Sequence, residues 1–250
     1  MPSPTFSPHP GVTIAYNKTP GTAAALPGAM FLGGFRSDMT GTKATYLEGC
    51  CKRRGQAFVR FDYTGHGASS GMFEDACVSQ WLQDSLDVFD ALTAGPQIIV
   101  GSSLGGWLAL LLALRRPERA AGLVLLAPAP DFTEDIYASF DEKDRATLAQ
   151  DGVVYLPSAY GDPYPLTQRL FDDAKQFLLL KKEIPVRCPV RIIHGRQDAD
   201  VPWQKSEHIK EKLAAGDVKI TWVPEGDHRL SRDPDLKLLD ETVQELASMP

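Results

Sequence analysis

The chain is 250 residues long, 43% hydrophobic and 23% charged. That mix is ordinary for a globular protein and excludes collagen, coiled coil and whole-chain disorder, while the length allows one large core that needs no staples. The 26 basic residues against 32 acidic ones leave a formal net charge of -6, and the longest basic run, Lys52-Arg53-Arg54, reads as a solvated helix end, so nucleic acid is not an expected partner.

In chain order, Met1 to Pro10 is rich in Pro and Ser, with no basic region and no apolar stretch. Neither a signal peptide nor an Arg-rich transit peptide is expected there. The most apolar run, Trp107 to Leu114, falls far short of the roughly 20 residues that span a bilayer. The expectation is a soluble, cytoplasmic protein. Cys50, Cys51, Cys77 and Cys188 form no CxxC pair and no zinc-like spacing, so they read as reduced thiols and no metal site is expected.

Short apolar runs then alternate with helical patterns. Strands are expected at Ala29–Leu32, Ala57–Phe61, Gln97–Val100, Leu123–Leu126, Val190–Ile193 and Val218–Val223. Helices are expected at Thr42–Arg54, Val78–Leu92, Leu104–Arg115, Val201–Ala215 and Leu236–Ala247. Continuous apolar strands and an almost wholly apolar third helix fit a parallel sheet covered on both faces. From Asp131 to Pro185 no strand is evident. Ile136–Gln150 reads as a helix, Val153–Pro165 as a Tyr- and Pro-rich loop, and Leu166, Leu170, Ala174, Phe177 and Leu178 recur at helical spacing. This stretch is expected to form a helical cap inserted between two strands of a single domain spanning residues 1–250.

The chemistry centres on Gly101-Ser102-Ser103-Leu104-Gly105, a GxSxG pentapeptide between a buried strand and a helix. A nucleophile on a strained strand-to-helix turn needs flanking residues without Cβ atoms, and the helix N-terminus offers N–H groups to a developing oxyanion. A bare match arises by chance about 0.1 times in a chain of this composition, and a Gly-rich nucleotide-binding turn has the same context, so partners are required. His228 follows the last strand, where the order Ser, acid, His places the base. His194, at a strand end, reads as structural. The loop after Val190–Ile193 supplies the acid. Asp200 stands where Asp caps helices, and Asp198, earlier in the loop, is the favoured partner of His228. Gly33-Gly34-Phe35 follows the first expected strand. The N–H groups of Phe35 and Leu104 are the candidate oxyanion donors, although the glycine pair alone is equally an ordinary loop. Gly34, Trp107, Tyr155 and Tyr160 are candidate substrate-binding residues. Asp62-x-x-Gly65-x-Gly67-x-Ser69 suggests only a tight turn.

These five segments in this order resemble the α/β-hydrolase superfamily. A closer resemblance, to its branch of palmitoyl-protein thioesterases and acyl-glucuronide esterases, is carried by Met39-Thr40-Gly41-Thr42-Lys43-Ala44, Arg60-Phe61-Asp62-Tyr63, the serine elbow through Leu108, Leu156-Pro157-Ser158-x-Tyr160 and Asp227-His228-Arg229. The resemblance implies an α/β-hydrolase fold and a serine esterase or thioesterase acting on a small-molecule or acylated substrate, and the aromatic and aliphatic residues of the Asp131–Pro185 cap suggest an apolar acyl group. It implies the catalytic residues Ser103, Asp198 and His228 and no metal or organic cofactor. A serine aminopeptidase on the same fold, using a cap acid among Asp131, Glu134, Asp135, Asp172 and Asp173, and a slow-turnover ligand receptor are the rival readings.

Overall fold

A computed structural model describes residues 3–23, 25–157 and 163–249. Its elements in chain order are β1 (Thr5–Phe6), β2 (Ile14–Thr19), β3 (Gly28–Leu32), α1 (Thr42–Arg53), β4 (Phe58–Phe61), α2 (Val78–Leu92), β5 (Gln97–Ser102), α3 (Leu104–Arg115) and β6 (Ala120–Leu126). The cap follows as α4 (Phe132–Ser139), α5 (Glu142–Asp151), β7 (Val153–Leu156), β8 (Tyr164–Thr167) and α6 (Gln168–Ala174). The chain then returns to the body as β9 (Val190–Gly195), α7 (Gln204–Lys212), β10 (Val218–Val223) and α8 (Asp233–Ala247).

Among the described residues the body is an eight-stranded sheet of order β1-β2-β4-β3-β5-β6-β9-β10. Every pair from β4 to β10 is parallel, and only β1 and β2 run antiparallel to their neighbours. The alternation of side chains along each strand explains the continuous apolar runs. Ile99, Leu123 and Leu125 face the layer containing α2 and α3. Ile98, Val100, Val124 and Leu126 face the opposite layer, with Leu47 of α1 and Leu239, Val243 and Leu246 of α8. Chain order reverses between β3 and β5, because β3 leads to β4 on one side while the next strand returns on the other. The carboxyl ends of β3 and β5 therefore open a crevice, the usual ligand position of such sheets.

The structure departs from the sequence expectation in three places. Two N-terminal strands precede Ala29. Only Ile14 and Ala15 in them are fully buried and the rest are partly exposed or exposed, so they present no continuous apolar run, as suits antiparallel strands at a sheet edge. The helix expected over Ile136–Gln150 is broken. Phe140 is extended, and Asp141 starts α5 by accepting the Asp144 N–H at 2.8 Å, so a competing N-cap divides the segment. The strandless reading of Asp131–Pro185 also fails. Val153–Leu156 pairs antiparallel with Tyr164–Thr167, with Tyr155 opposite Pro165. Pro is tolerated on this two-stranded ribbon because it has so few ladder bonds to lose. The cap is not detached from the body. Phe140, Leu148, Leu170 and Phe171 belong to the same buried cluster as Trp81, Trp107 and Leu108.

Candidate active site

Ser103 lies between β5 and α3 with φ 55° and ψ -117°, a backbone conformation costing a non-glycine residue on the order of 1–3 kcal/mol. The surroundings leave it no alternative. Its N–H donates to the Leu126 carbonyl at 2.9 Å, and its own carbonyl accepts from Gly106 at 2.9 Å and Ala129 at 3.1 Å. A Cβ at Gly101 would collide with the Gly105 carbonyl, and one at Gly105 with the Leu32 carbonyl. The glycines are required so that β3, β5 and α3 can approach this closely.

Ser103 Oγ lies 3.0 Å from His228 Nε2, and His228 Nδ1 lies 2.8 Å from Asp198 Oδ2. An imidazole whose Nδ1–H donates to the carboxylate presents Nε2 as an acceptor for the serine hydroxyl. His228 is held by its loop. Gln197 N–H donates to the Gly226 carbonyl at 2.9 Å, Leu230 N–H to Asp227 Oδ1 at 3.0 Å, and Lys43 Nζ to the Arg229 carbonyl. Burial pulls the Lys43 amine down to about 8, helped by the positive charge of Arg229 and opposed by Asp227 and Asp235. The Arg196 guanidinium stacks between Trp203 and Trp222, 3.8 and 4.1 Å from the two ring centres, which fixes the start of the acid-bearing loop.

The Asp198 side chain is fully buried. Oδ1 accepts the N–H groups of Asp200 at 2.9 Å and Val201 at 2.8 Å. Oδ2 accepts from both His228 and His194, the latter at 3.1 Å. Burial works to raise this carboxyl, but the hydrogen bonds from His194 and His228, the charge of His228 and the Val201 N–H outweigh it and hold Asp198 well below the usual carboxylate range. Donor atoms of Asp198, Asp200 and His228 lie within 4.8 Å of one another. Both ring nitrogens of His228 and both oxygens of Asp198 are already committed to the hydrogen-bonded chain, so this cluster does not make a free metal site.

Across the crevice, Gly34 packs so close to the serine that a Cβ there would stand 3.5 Å from Ser103 Cβ. The loop bearing Gly34 and Phe35 is tied to the segment that looked like a mere turn. Asp62 accepts the Met39 N–H at 2.6 Å on Oδ1 and the Ala68 N–H at 2.8 Å on Oδ2. His66 Nε2 accepts the Arg36 N–H at 3.2 Å, where Arg36 itself has φ 56°. Burial, then the nearby Arg36 charge, brings His66 down to about 4, against the raising effect of its bond to the Thr64 carbonyl, so its ring is neutral near pH 7. The Phe35 ring is enclosed edge-on by Phe73, Trp81, Phe132 and Tyr164.

Ser103 and His228 open onto a cavity of about 730 Å³. Gly33, Gly34, Phe35 and Leu104 line it near the serine. Phe132, Ile136, Leu156, Tyr164 and Leu166 of the cap supply an apolar wall, and Arg36, Lys43, Asp200, Lys205 and Arg229 lie on more polar sides. The structure thus brings Ser103, Asp198, His228, Gly34, Phe35 and Leu104 together. Trp107 is not among the lining residues. It is fully buried, its indole N–H donating to the Phe177 carbonyl at 3.1 Å, because α3 runs away from the cavity into the core. Tyr155 does not line it either. It is 60% exposed, since strand alternation turns it away while Leu156 faces inward. Tyr160 lies outside the described residues. Phe132 and Ile136 were not singled out from sequence, although their i, i+4 spacing could have marked an inward helix face.

A family model for the alpha/beta hydrolase family matches residues 50–240. A mouse protein named palmitoyl-protein thioesterase ABHD10, mitochondrial, is 37% identical over 235 residues, which is 93% of this chain and 78% of that relative. The chain belongs to the alpha/beta hydrolase family. Two solved structures agree with this hydrolase fold over nearly their whole length. A crystal structure from Agrobacterium vitis S4 superposes with a TM-score of 0.93 at 37% identity, covering 98% of each chain. The mouse alpha/beta hydrolase domain-containing protein 10 superposes with a TM-score of 0.89 at 36% identity, covering 97% of each. The family resemblance read from the motifs is borne out. Among the described residues, no helix of this hydrolase is long and apolar enough to cross a membrane.

Proposed function

We propose that this hydrolase cleaves carboxylic esters or thioesters by acyl transfer to water through a Ser103 acyl-enzyme. The observation that carries the reading is the continuous hydrogen-bonded chain from Ser103 Oγ through His228 to Asp198 at the mouth of the cavity. Ser103 Oγ attacks the carbonyl carbon as His228 Nε2 takes its proton, and the carbonyl electron pair moves onto oxygen. The N–H groups of Phe35 and Leu104 receive that oxyanion. Collapse expels the alcohol or thiol, which leaves with the proton from His228, and water activated by the same imidazole releases the acid. Asp198 keeps the imidazole tautomer and balances its transient positive charge. The reaction calls for no metal or organic cofactor.

The apolar cap wall of Phe132, Ile136, Leu156 and Leu166 suits an apolar acyl group, in keeping with a relative named for palmitoyl-protein thioesterase activity. The aminopeptidase reading needs an uncommitted cap acid to hold a substrate amine. Asp131 accepts the Leu179 and Leu180 N–H groups, Asp173 the Ser79 N–H, and Glu134, Asp135 and Asp172 pair with Lys181, Lys205 and Lys175. Asp135 alone among them lines the cavity. The four cysteines are free, in keeping with a reducing, cytoplasmic setting, which fractionation of the source cells would check.

The deciding experiment combines fluorophosphonate labelling with turnover of p-nitrophenyl esters and acyl thioesters of graded chain length. The expected result is labelling at Ser103 and turnover that favours longer chains. Absence of labelling overturns the nucleophile, and labelling with negligible turnover favours the receptor reading.

A further inference from the structure

His194 stands directly beneath the acid. It is the penultimate residue of β9, is fully buried, and uses both ring nitrogens. Nε2 lies 3.1 Å from Asp198 Oδ2 and 3.1 Å from the Val201 carbonyl. Both are acceptors, so Nε2 carries the proton and divides it between them. Nδ1 lies 2.6 Å from Ser206 Oγ on α7, and in the neutral ring it accepts from that hydroxyl. The resulting chain runs Ser206, His194, Asp198, His228, Ser103.

A histidine that only filled the core would need no partner beyond the Val201 carbonyl and the nearby Trp222 ring. This one donates to the same carboxylate oxygen that receives His228 Nδ1–H. Two N–H groups on one oxygen share its charge, so each weakens the other's partner while both fix its position. We infer that His194 is a positioning residue for the reaction: it holds the Asp198 carboxylate against His228, takes a share of its negative charge and so sets the basicity of His228, with Ser206 fixing the His194 tautomer. The inference rests on the proposed Ser103, His228 and Asp198 mechanism. The groups facing this pair are His228 from the loop after β10, Asp200 and the Val201 backbone from the acid loop, Ser206 from α7, and the neutral ring of Trp222 from β10, 6.4 Å from the His194 ring.

The sign follows from the geometry. Without the His194 N–H, more charge on Oδ2 faces His228, the imidazolium is stabilised, and the base stays protonated to higher pH. The test is kcat/KM against pH for a short p-nitrophenyl ester, with wild type, His194→Phe, His194→Gln, Ser206→Ala and Ser103→Ala. Loss of a hydrogen bond of ordinary net strength predicts that His194→Phe lowers kcat/KM about tenfold and moves the acid limb up by roughly half a pH unit. His194→Gln, which keeps an N–H at similar reach, should recover most of both effects. Ser206→Ala should move the limb in the same direction by less. A folded His194→Phe with the wild-type acid limb overturns the inference. If that variant does not fold, an unmoved limb in Ser206→Ala overturns it instead. Wild-type turnover by Ser103→Ala would bring down the parent mechanism, an outcome distinct from either of these.

Discussion

The loops of the body and the cap meet at one cavity but are held in opposite ways. On the body side, Ser103, Asp198 and the loop of Gly34 and Phe35 are held by directional hydrogen bonds, and four non-glycine residues, Arg36, Ser103, Ala127 and Leu230, stand at positive φ, with a fifth, Asp131, where the cap begins. On the cap side, α4, β7 and β8 present apolar side chains to the cavity, while the ion pairs Lys181–Glu134 and Lys175–Asp172 are exposed. The body is specified atom by atom, whereas the cap need only be apolar and of suitable size. Reaction geometry tolerates errors well under 1 Å, but hydrophobic burial is non-directional. Under the proposed mechanism this difference divides labour, with chemistry in the body and substrate choice in the cap.

Variants can break that division, and the largest effects should lie in the body. Ser103→Ala should lower kcat by at least about 10³-fold while leaving the thermal midpoint nearly unchanged, as read by steady-state kinetics beside calorimetry. Asp198→Asn should lower kcat by about 10³–10⁴-fold and also destabilise the fold. An amide cannot accept the four N–H donors that the carboxylate takes, so at least one is left unpaired, and a denaturant titration beside the kinetics would read both losses.

A smaller effect tests the staple beneath the Phe35 loop. His66 is lowered to about 4 in the folded chain and has an ordinary value of about 6.5 when unfolded. Between those values the unfolded state binds the extra proton, so stability falls as pH drops from about 6.5 to about 4, by about 3 kcal/mol. Chemical denaturation at a series of pH values should show this slope, and His66→Gln should flatten it. An unchanged slope in that variant would assign the acid sensitivity elsewhere.

The cap should give the smallest effects. Ile136→Ala should change the preference between short and long acyl esters by about tenfold or less, with kcat for short esters retained. A 10³-fold fall in kcat for short esters would place chemistry in the cap and end the division proposed above. Lys181→Met should move the thermal midpoint by less than about 2 °C, because an exposed pair is worth little.

The strands β3, β5, β6 and β9 were legible because burial on both faces writes them as unbroken apolar runs. Ser103, Asp198 and His228 were legible because a strand-to-helix elbow, an acid loop and a late histidine recur in fixed order. The break at Phe140 and the β7–β8 hairpin were not, since Asp141 as a cap and Pro165 in a strand are locally ambiguous. Tyr155 and Trp107 misled for a related reason, because aromatic character does not state which way a side chain points.

By itself, then, the sequence determined the element alternation, the place of the cap and the three residues, Ser103, His228 and Asp198, that the structure brings together as the proposed nucleophile, base and acid. These rest on short-range periodicity and on short motifs whose residues are neighbours in the chain. Tertiary structure alone decided that Leu156 and not Tyr155 faces the cavity, that Asp62 and His66 serve the loop of Phe35, and that His194 and His228 share one oxygen of Asp198. Those outcomes depend on contacts between residues distant in the chain, such as His228 with Ser103 and Asp198. Each is set by the packing of several elements at once, so no local pattern encodes it.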